Sequence, residues 1–346
     1  MEKENQILSE APAVETAGEL APPLEEVATV QKKPEGDKHG FWKDEWKRVK
    51  KYRRLLWFLL PALLISFIFS YIPMFGILIA FKGPEFNIIK YPSVMYNLVH
   101  GSWTLKNFAE IFYDVSIVKA IGNTLLINVL RLAICFPFSI IIAVQLSELK
   151  SQTLAKVILI IISIPNFLSW VIVIGIWAGF LNPDTGFFGK VIGFFIMGES
   201  EWFKVLVVAL SAWKSAGWGC ILYYSAICAI DKTYYESATL EGANRLQKMW
   251  YLTIPSILPT IALTLVLNIS GLMATGLEQI YTMMQINPGT LRDSQIVLDT
   301  YIYDLTKVDR NEPLATALGV FNGLIGLTLM LVGNAITTKT MKRGLW

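Results

Sequence analysis

Charge is scarce in this chain. Of its 346 residues only 16% are Asp, Glu, Lys or Arg, while 54% are hydrophobic. Soluble domains carry about 25% charged residues, so the main solvent expected here is a bilayer. The formal net charge of +3 gives no basis for a nucleic-acid partner, because the basic residues lie near the ends of apolar segments rather than along one face. Histidine is almost absent: His39 and His100 are the only two, and both lie outside the apolar runs. The three cysteines, Cys135, Cys220 and Cys228, fall inside apolar runs and lack any C-x-x-C spacing. They read as small buried hydrophobes rather than redox or zinc groups, and no metal site is expected. A membrane-embedded enzyme needs clustered acids, a nucleophile beside a base, or metal ligands, and no such catalytic set is visible. A phosphate-cradling G-x-x-x-x-G-K-[ST] loop is missing too, since Gly189-Lys190 is followed by Val191. The first forty residues contain no apolar core of a secretory signal.

What the chain does have is length in its apolar segments. Residues 1–40 are rich in Glu, Ala and Pro, cannot bury a core, and are expected to form a disordered tail. In 41–54, Trp42, Trp46 and Val49 share one helical face among lysines and arginines. That pattern predicts an amphipathic helix lying at a membrane surface among its lipids. Crossing a bilayer as helix takes about 20 apolar residues. Six stretches qualify, roughly 55–81, 119–146, 153–181, 202–230, 254–284 and 314–338, and together 55–346 reads as one all-α membrane domain of six transmembrane helices. Pro61, Pro73, Pro137, Pro165 and Pro259 lie within them, and local kinks are expected there. Seven cations over 43–54, and Lys339, Lys342 and Arg343 at the other end, place both termini on the cytoplasmic side. The loops 147–152 and 231–253 are then also inside.

The loop 231–253 is the largest of the expected inner loops. Thr233-Tyr234-Tyr235-Glu236 has a capping-box pattern, predicting a short helix from about Thr233. Tyr235, Ala238 and Gly242 recur at three and four, Gly242 suits a left-handed turn, and a second short helix is predicted over 243–251. Pro255 then falls in the first turn of the next span. A small-residue face lets a helix lie deep in a groove of another protein. The alternative on spacing alone is an ordinary hairpin between two spans.

The wording of YYESATLEGANRLQKMWYLTIP, residues 234–255, resembles the EAA motif of ATP-driven, binding-protein-dependent import permeases. In that motif Glu-Ala-Ala is followed after three residues by Gly, and after nine more by Ile-x-Leu-Pro. Here Glu236, Ser237 and Ala238 stand for the triplet, Gly242 follows, and Leu252, Thr253, Ile254 and Pro255 close the pattern with conservative departures. WTLKNFAEIF (103–112), GIWAGFLNPDTGFFG (175–189) and SAWKSAGWGC (211–220) are similar to the carbohydrate branch of these permeases. The stretch 276–304 and the terminal GLW resemble the lipo-oligosaccharide and polysaccharide-utilisation members.

The resemblance implies a type I ABC importer permease fold with a cytoplasmic coupling helix, in a bacterial plasma membrane. It implies that the loop docks into a cytoplasmic ATPase dimer through Tyr235, Glu236, Ser237, Ala238, Gly242, Ala243, Leu246, Ile254 and Pro255. ATP and Mg would be handled by that partner, with no cofactor on this chain. A second permease subunit, usually a different one, and an extracellular solute-binding lipoprotein complete the implied assembly.

Ionisable groups inside spans are costly and functional by default. Arg131, Lys214 and Glu278 are such groups, and Lys214 and Glu278 are candidates for an interhelical pair. Amides bond sugar hydroxyls and flat rings cover pyranose faces, so polar and aromatic span residues are candidates to line a pathway. The preferred set is Asn268, Glu278 and Gln279, with Trp177, Trp213, Trp218, Tyr223 and Asn322 beside Asn166, Trp170 and Tyr224. The same residues also suit interface belts and interhelical hydrogen bonds. The competing function is a secondary transporter or channel for small solutes, which calls for intramembrane carboxylates or inverted repeats.

Overall fold

The structure, a computed structural model, describes residues 53–86, 89–286 and 295–341. The expected tail over 1–40, the surface helix over 41–54 as far as Tyr52, and the cations Lys342 and Arg343 lie outside the described residues. The chain divides into two compact units, Met1–Pro73 and Met74–Trp346. In the first, α1 (Arg53–Ser66) carries Pro61 and passes into a π-helical turn, Phe67–Tyr71. Every residue from Leu59 to Pro73 is exposed. A helix apolar on all sides belongs in lipid or against a partner. The stretch Leu59–Phe81 is long and apolar enough to cross a membrane.

The second unit is helical throughout; Lys82 and Trp103 pair as an isolated bridge, and among the described residues no strand forms. Two short helices come first, α2 (Val94–His100) and α3 (Lys106–Tyr113). The long α4 (Val115–Ser147) starts at Asp114, whose carboxylate accepts from Ser116 N at 2.7 Å, and runs unbroken through Pro137. Next come α5 (Gln152–Ser163), α6 (Trp170–Leu181), the short α7 (Phe187–Ile192) and the long α8 (Ser200–Cys228). The loop helices α9 (Lys232–Leu240) and α10 (Arg245–Lys248) lead through a π turn, Met249–Thr253, and one turn at Ile254–Ser256 into α11 (Leu258–Ser270). Last are α12 (Leu277–Ile286), α13 (Leu298–Lys307) and the long α14 (Glu312–Met341).

Two of the expected spans in this unit, 153–181 and 254–284, are interrupted or bent, at three places in all, and the first two of these carry a proline at which a kink is expected. The stretch 153–181 is two half-helices meeting at 101°, separated by the 3-10 turn Ile164–Phe167 that contains Pro165. The segment Arg245–Ser256 meets α11 at 64°, with Pro259 in the first turn of α11. The stretch 254–284 does not run as one helix either: α11 ends at Ser270, and α12 begins only at Leu277 after Gly276, which has φ +82°. Among the described residues four helices are able to cross a membrane alone, or up to six spans if each bent pair is one. The Thr233–Glu236 capping box is also corrected. Asp231 caps α9 instead, its carboxylate accepting from Thr233 N at 3.0 Å.

Packing is tightest where glycine replaces bulk. A Cβ on Gly217 of α8 would fall under 3.0 Å from the backbone of Ile162 and Ser163 at the end of α5, so only glycine permits that approach. Three apolar cores result. Ile111, Ile117, Leu298, Leu305, Leu314 and Leu318 join α3, α4, α13 and α14. Ile127, Ile174, Phe203, Val207, Ile280 and Met283 join α4, α6, α8 and α12. Ala143, Ala155, Cys220, Tyr223, Ile257 and Ile261 join α4, α5, α8 and α11. Of the cysteines, Cys220 is buried as expected, whereas Cys135 is half-buried and Cys228, the last residue of α8, is exposed.

Candidate functional site

Two of the helix breaks, at 164–169 and 271–276, border one cavity of about 700 Å³, walled by α4, α8, α11 and the segment 271–279. Interrupting a helix frees backbone carbonyls and amides that must find partners inside a membrane. Here the partners are side chains of neighbouring helices. In the segment between α11 and α12, the Leu272 carbonyl accepts from Asn128 Nδ2 at 2.8 Å and the Thr275 carbonyl from Arg131 at 2.6 Å. The freed amides of Thr275 and Gly276 donate to Asp299 Oδ2 at 2.8 and 3.0 Å.

Arg131 also donates to Asn128 Oδ1 at 3.2 Å and to Gln279 Oε1. Gln279, 1% exposed, donates in turn to the Val207 carbonyl at 2.9 Å, and the Ser211 hydroxyl lies 3.1 Å from its Oε1. One guanidinium and one amide therefore tie α4, α8 and α12 into a single network. The break between α5 and α6 is held by opposite charges. Lys214 Nζ donates to the carbonyls of Pro165 at 3.3 Å and Asn166 at 2.8 Å, while Glu278 Oε1 accepts from Trp170 N at 3.1 Å. Each charge meets the helix end of opposite partial charge. The expected Lys214–Glu278 pair does not form as a direct contact: each side chain bonds the backbone of the break, and Glu278 acts on Lys214 only through space.

The remaining wall combines hydroxyls and amides (Ser139, Ser215, Thr264, Asn166, Asn268) with the rings of Phe136, Trp170, Trp218 and Tyr223. Tyr223 is fixed by a 2.8 Å hydrogen bond to Thr264. Trp218, Leu222 and Leu267 line the cavity while more than half exposed, so this side of it is open.

The loop 231–255 is a second, separate surface. Thr233 donates through its amide and hydroxyl to Asp231, which holds that carboxyl below its ordinary pKa. At the other end of α9 the Gly242 amide donates to the Thr239 carbonyl and the Ala243 amide to the Ala238 carbonyl, with Gly242 at φ +81°. That is a Schellman turn, and it requires the left-handed conformation glycine supplies. A capping box starts α10, with Asn244 and Gln247 exchanging 2.8 Å hydrogen bonds. Lys248 Nζ bonds Thr239 at 2.6 Å, closing α9 against α10. Tyr235 is half-buried, its hydroxyl 3.0 Å from Thr253, and burial pushes its pKa up.

Around this rigid hairpin, large apolar side chains stand in the open: Leu240 is 90% exposed, Tyr251 83% and Leu246 66%. A shallow pocket of about 380 Å³ on the same hairpin is lined by Ala238, Gly242, Ala243, Gln247, Lys248 and Tyr251. Apolar groups clustered this way on a polar loop mark an interaction surface.

Residues 136–341 match the family described as binding-protein-dependent transport system inner membrane component. The chain belongs to that family. It is 32% identical to the polygalacturonan/rhamnogalacturonan transport system permease protein YteP of Bacillus subtilis, over 88% of this chain and 95% of the relative. It is also 32% identical to Protein LplB of the same bacterium, over 86% of this chain and 92% of the relative. Among solved structures it resembles a chain of a bacterial ABC transporter involved in the import of the acidic polysaccharide alginate. That likeness has a TM-score of 0.76 at 31% identity and covers 86% of this chain and 99% of the other. A second structure of a bacterial alginate ABC transporter, in complex with an alginate pentasaccharide-bound periplasmic protein, gives a TM-score of 0.75 at 31% identity. This protein is therefore a multi-pass membrane permease component with the fold of an ABC importer permease.

Within the permease, the structure sorts the residues proposed from sequence. Asn268, Gln279, Trp218 and Tyr223 line the cavity, as do Asn166 and Trp170. Glu278 does not; it caps α6. Trp177 and Trp213 stack edge-on at 5.6 Å in an aromatic group with Phe188, away from the cavity wall. Asn322 sits on α14 with a buried Oδ1 that lacks a partner, and Tyr224 is buried in the third core. In the loop, Glu236, Ser237, Gly242, Leu246 and Pro255 are exposed, whereas Tyr235, Ala238, Ala243 and Ile254 are half-buried. Sequence reasoning missed Asn128, Ser139, Ser211 and Thr264 as wall residues. The signal was present as spacing: Asn128, Arg131, Cys135 and Ser139 fall three and four apart on one face of α4, and Ser211, Lys214, Ser215 and Trp218 do so on α8.

Proposed function

We propose that this permease is one half of the membrane pathway of an ATP-driven, binding-protein-dependent importer of carbohydrate of oligosaccharide size. The exposed hairpin 231–255 carries the reading. Its EAA-like spacing, its rigid Schellman turn and its bare Leu240, Leu246 and Tyr251 describe a handle for another protein. That protein is a cytoplasmic ATPase dimer, which hydrolyses ATP with Mg on the permease's behalf. Both termini then lie in the cytoplasm, and the opposite side receives an extracellular solute-binding lipoprotein. A second permease subunit covers the open side of the cavity at Trp218, Leu222 and Leu267. Amides, hydroxyls and indole rings in one cavity supply what sugar recognition needs, and the relatives named above include transporters of polygalacturonan, rhamnogalacturonan and alginate.

Co-purification from gently extracted native membranes tests this. With the wild-type chain an ATPase bearing a phosphate-binding loop and a second permease are expected. With Gly242→Pro the ATPase should be lost while the second permease stays, because proline cannot adopt φ +81°. Retention of the ATPase by the variant, or a wild-type chain that moves solute alone, would return the secondary transporter to first place.

A further inference from the structure

We propose that the cavity receives the carboxylate of an acidic sugar, with Lys214 and Arg131 as its cationic subsite. This rests on the importer reading above and names its substrate class. The two cations stand in the wall of one cavity, and among the described residues no Asp or Glu lines it. The carboxylates behind the wall are already engaged. Glu278 accepts from Trp170 N, and Asp299 Oδ2 accepts from Thr275 N, Thr275 Oγ1 at 3.0 Å and Gly276 N.

Among the described residues Lys214 and Arg131 hydrogen-bond only to neutral oxygens, and the carboxylates of Glu278 and Asp299 act on them from behind the wall without direct contact. Lys214 has two carbonyl acceptors and three N–H donors, and Arg131 Nε has no partner at all. A cation held in a membrane wall with no anion in direct contact is still expensive, and a neutral side chain would meet the same carbonyls at lower cost. An anion that arrives with the cargo resolves this. Lys214 Nζ lies 5.3 Å from the centre of the Trp170 ring, which puts a cation beside an aromatic platform. A uronate needs both, since its carboxylate projects from the edge of a ring whose face is apolar. The cavity volume also falls within the roughly 300–1,000 Å³ of small-molecule sites.

The test uses the complete importer in its own membrane. Uptake is measured for labelled uronate disaccharides (galacturonate, mannuronate and glucuronate), for their methyl esters, and for the neutral hexose disaccharides. Wild type is expected to take up an acid form at least tenfold faster than its ester. Lys214→Gln keeps donors for the two carbonyls and removes the charge. It should lower acid uptake roughly ten- to hundredfold at an unchanged amount of protein in the membrane, the cost of one charged hydrogen bond. Lys214→Arg should restore most of it. Acid uptake by Lys214→Gln at the wild-type rate would overturn the subsite and move selectivity to the binding protein. A wild type that prefers the neutral sugars overturns the acidic class and leaves carbohydrate import standing. A wild type that moves no carbohydrate removes both readings. If Lys214→Gln fails to reach the membrane, Lys214→Met is measured in its place with the same outcomes.

Discussion

Gly217→Ala sets two effects of known size against each other. In an open helix the change is favourable, because alanine exceeds glycine in helix propensity by about 0.5–1 kcal/mol. Gly217 is not open. Its new methyl would come under 3.0 Å from Ile162 O, Ile162 C and Ser163 N, a separation real Cβ atoms essentially never show, and all three are backbone atoms that no rotamer can move. Ordinary contact begins near 3.4 Å, so α5 and α8 must part by something on the order of 1 Å, at an overpacking cost of roughly 1–3 kcal/mol. Sterics should win. Gly122→Ala on α4 is the control, because no atom lies within 4 Å of the Cβ it would gain. Both variants gain the same propensity, so their difference isolates the steric cost at about 1–3 kcal/mol. The assay is the thermal midpoint of the detergent-extracted protein, read from its size-exclusion peak after heating. A Gly217→Ala midpoint equal to or above that of Gly122→Ala would refute the close approach of the two backbones.

The Arg131–Gln279–Val207 network should be as sensitive. Gln279→Leu leaves a guanidinium N–H without its acceptor, while the Val207 carbonyl keeps the Ser211 hydroxyl at 2.7 Å, so the loss should be about 1–3 kcal/mol in the same thermal assay. Gln279→Glu, which keeps an acceptor for Arg131 and forfeits only the bond to Val207, should lose less. The cap of α9 predicts a pH dependence. Hydrogen bonds from the Thr233 amide and hydroxyl hold the folded-state pKa of Asp231 below its ordinary value. Its stabilisation is therefore complete above the ordinary carboxylate range and is lost as pH falls through the lowered folded value. Amide exchange in α9, corrected for intrinsic rates, should accelerate through that window in the wild type and show no such step in Asp231→Asn.

The membrane-crossing segments and the loop between them were legible because both are written in runs. Apolar stretches past the bilayer length announce themselves, and Gly242 is visible as a turn because only glycine serves there. Breaks within apolar runs were legible only in part: the kinks expected at Pro165 and Pro259 are there, but neither the 101° depth of the first nor the loss of helix between Ser270 and Leu277 was readable. Hydropathy is blind to direction, so 153–181 and 254–284 read as single spans although the chain turns at Pro165 and loses its helix between Ser270 and Leu277. The bracketing glycines, Gly271 and Gly276, were the available hint. The capping box failed for another reason. Asp231, a strong cap two residues before Thr233, took the position, and pattern matching does not weigh two caps against each other. Trp177 and Trp213 illustrate a third limit. Residue type nominates them for sugar stacking, but their neighbours decide, and here those are Phe180 and Phe188.

Lys214 and Glu278 show why the depth of the break at Pro165 matters for the cavity. From sequence they are two charges in separate spans whose simplest fate is to pair and neutralise each other. In the structure the peptide chain stands between them: Lys214 takes the carbonyls that close α5's extension and Glu278 takes the amide that opens α6. The partial charges at those two ends are opposite, so each side chain is matched without a direct salt bridge. Asn166 and Trp170, the residues so held, both face the cavity. The sharp corner in the wall is therefore suspended from α8 on one side and α12 on the other. Any motion that separates α8 from α12 must either break one of those hydrogen bonds or drag Asn166 and Trp170 with it. A corner of this kind converts a shift of long helices into a change of cavity shape.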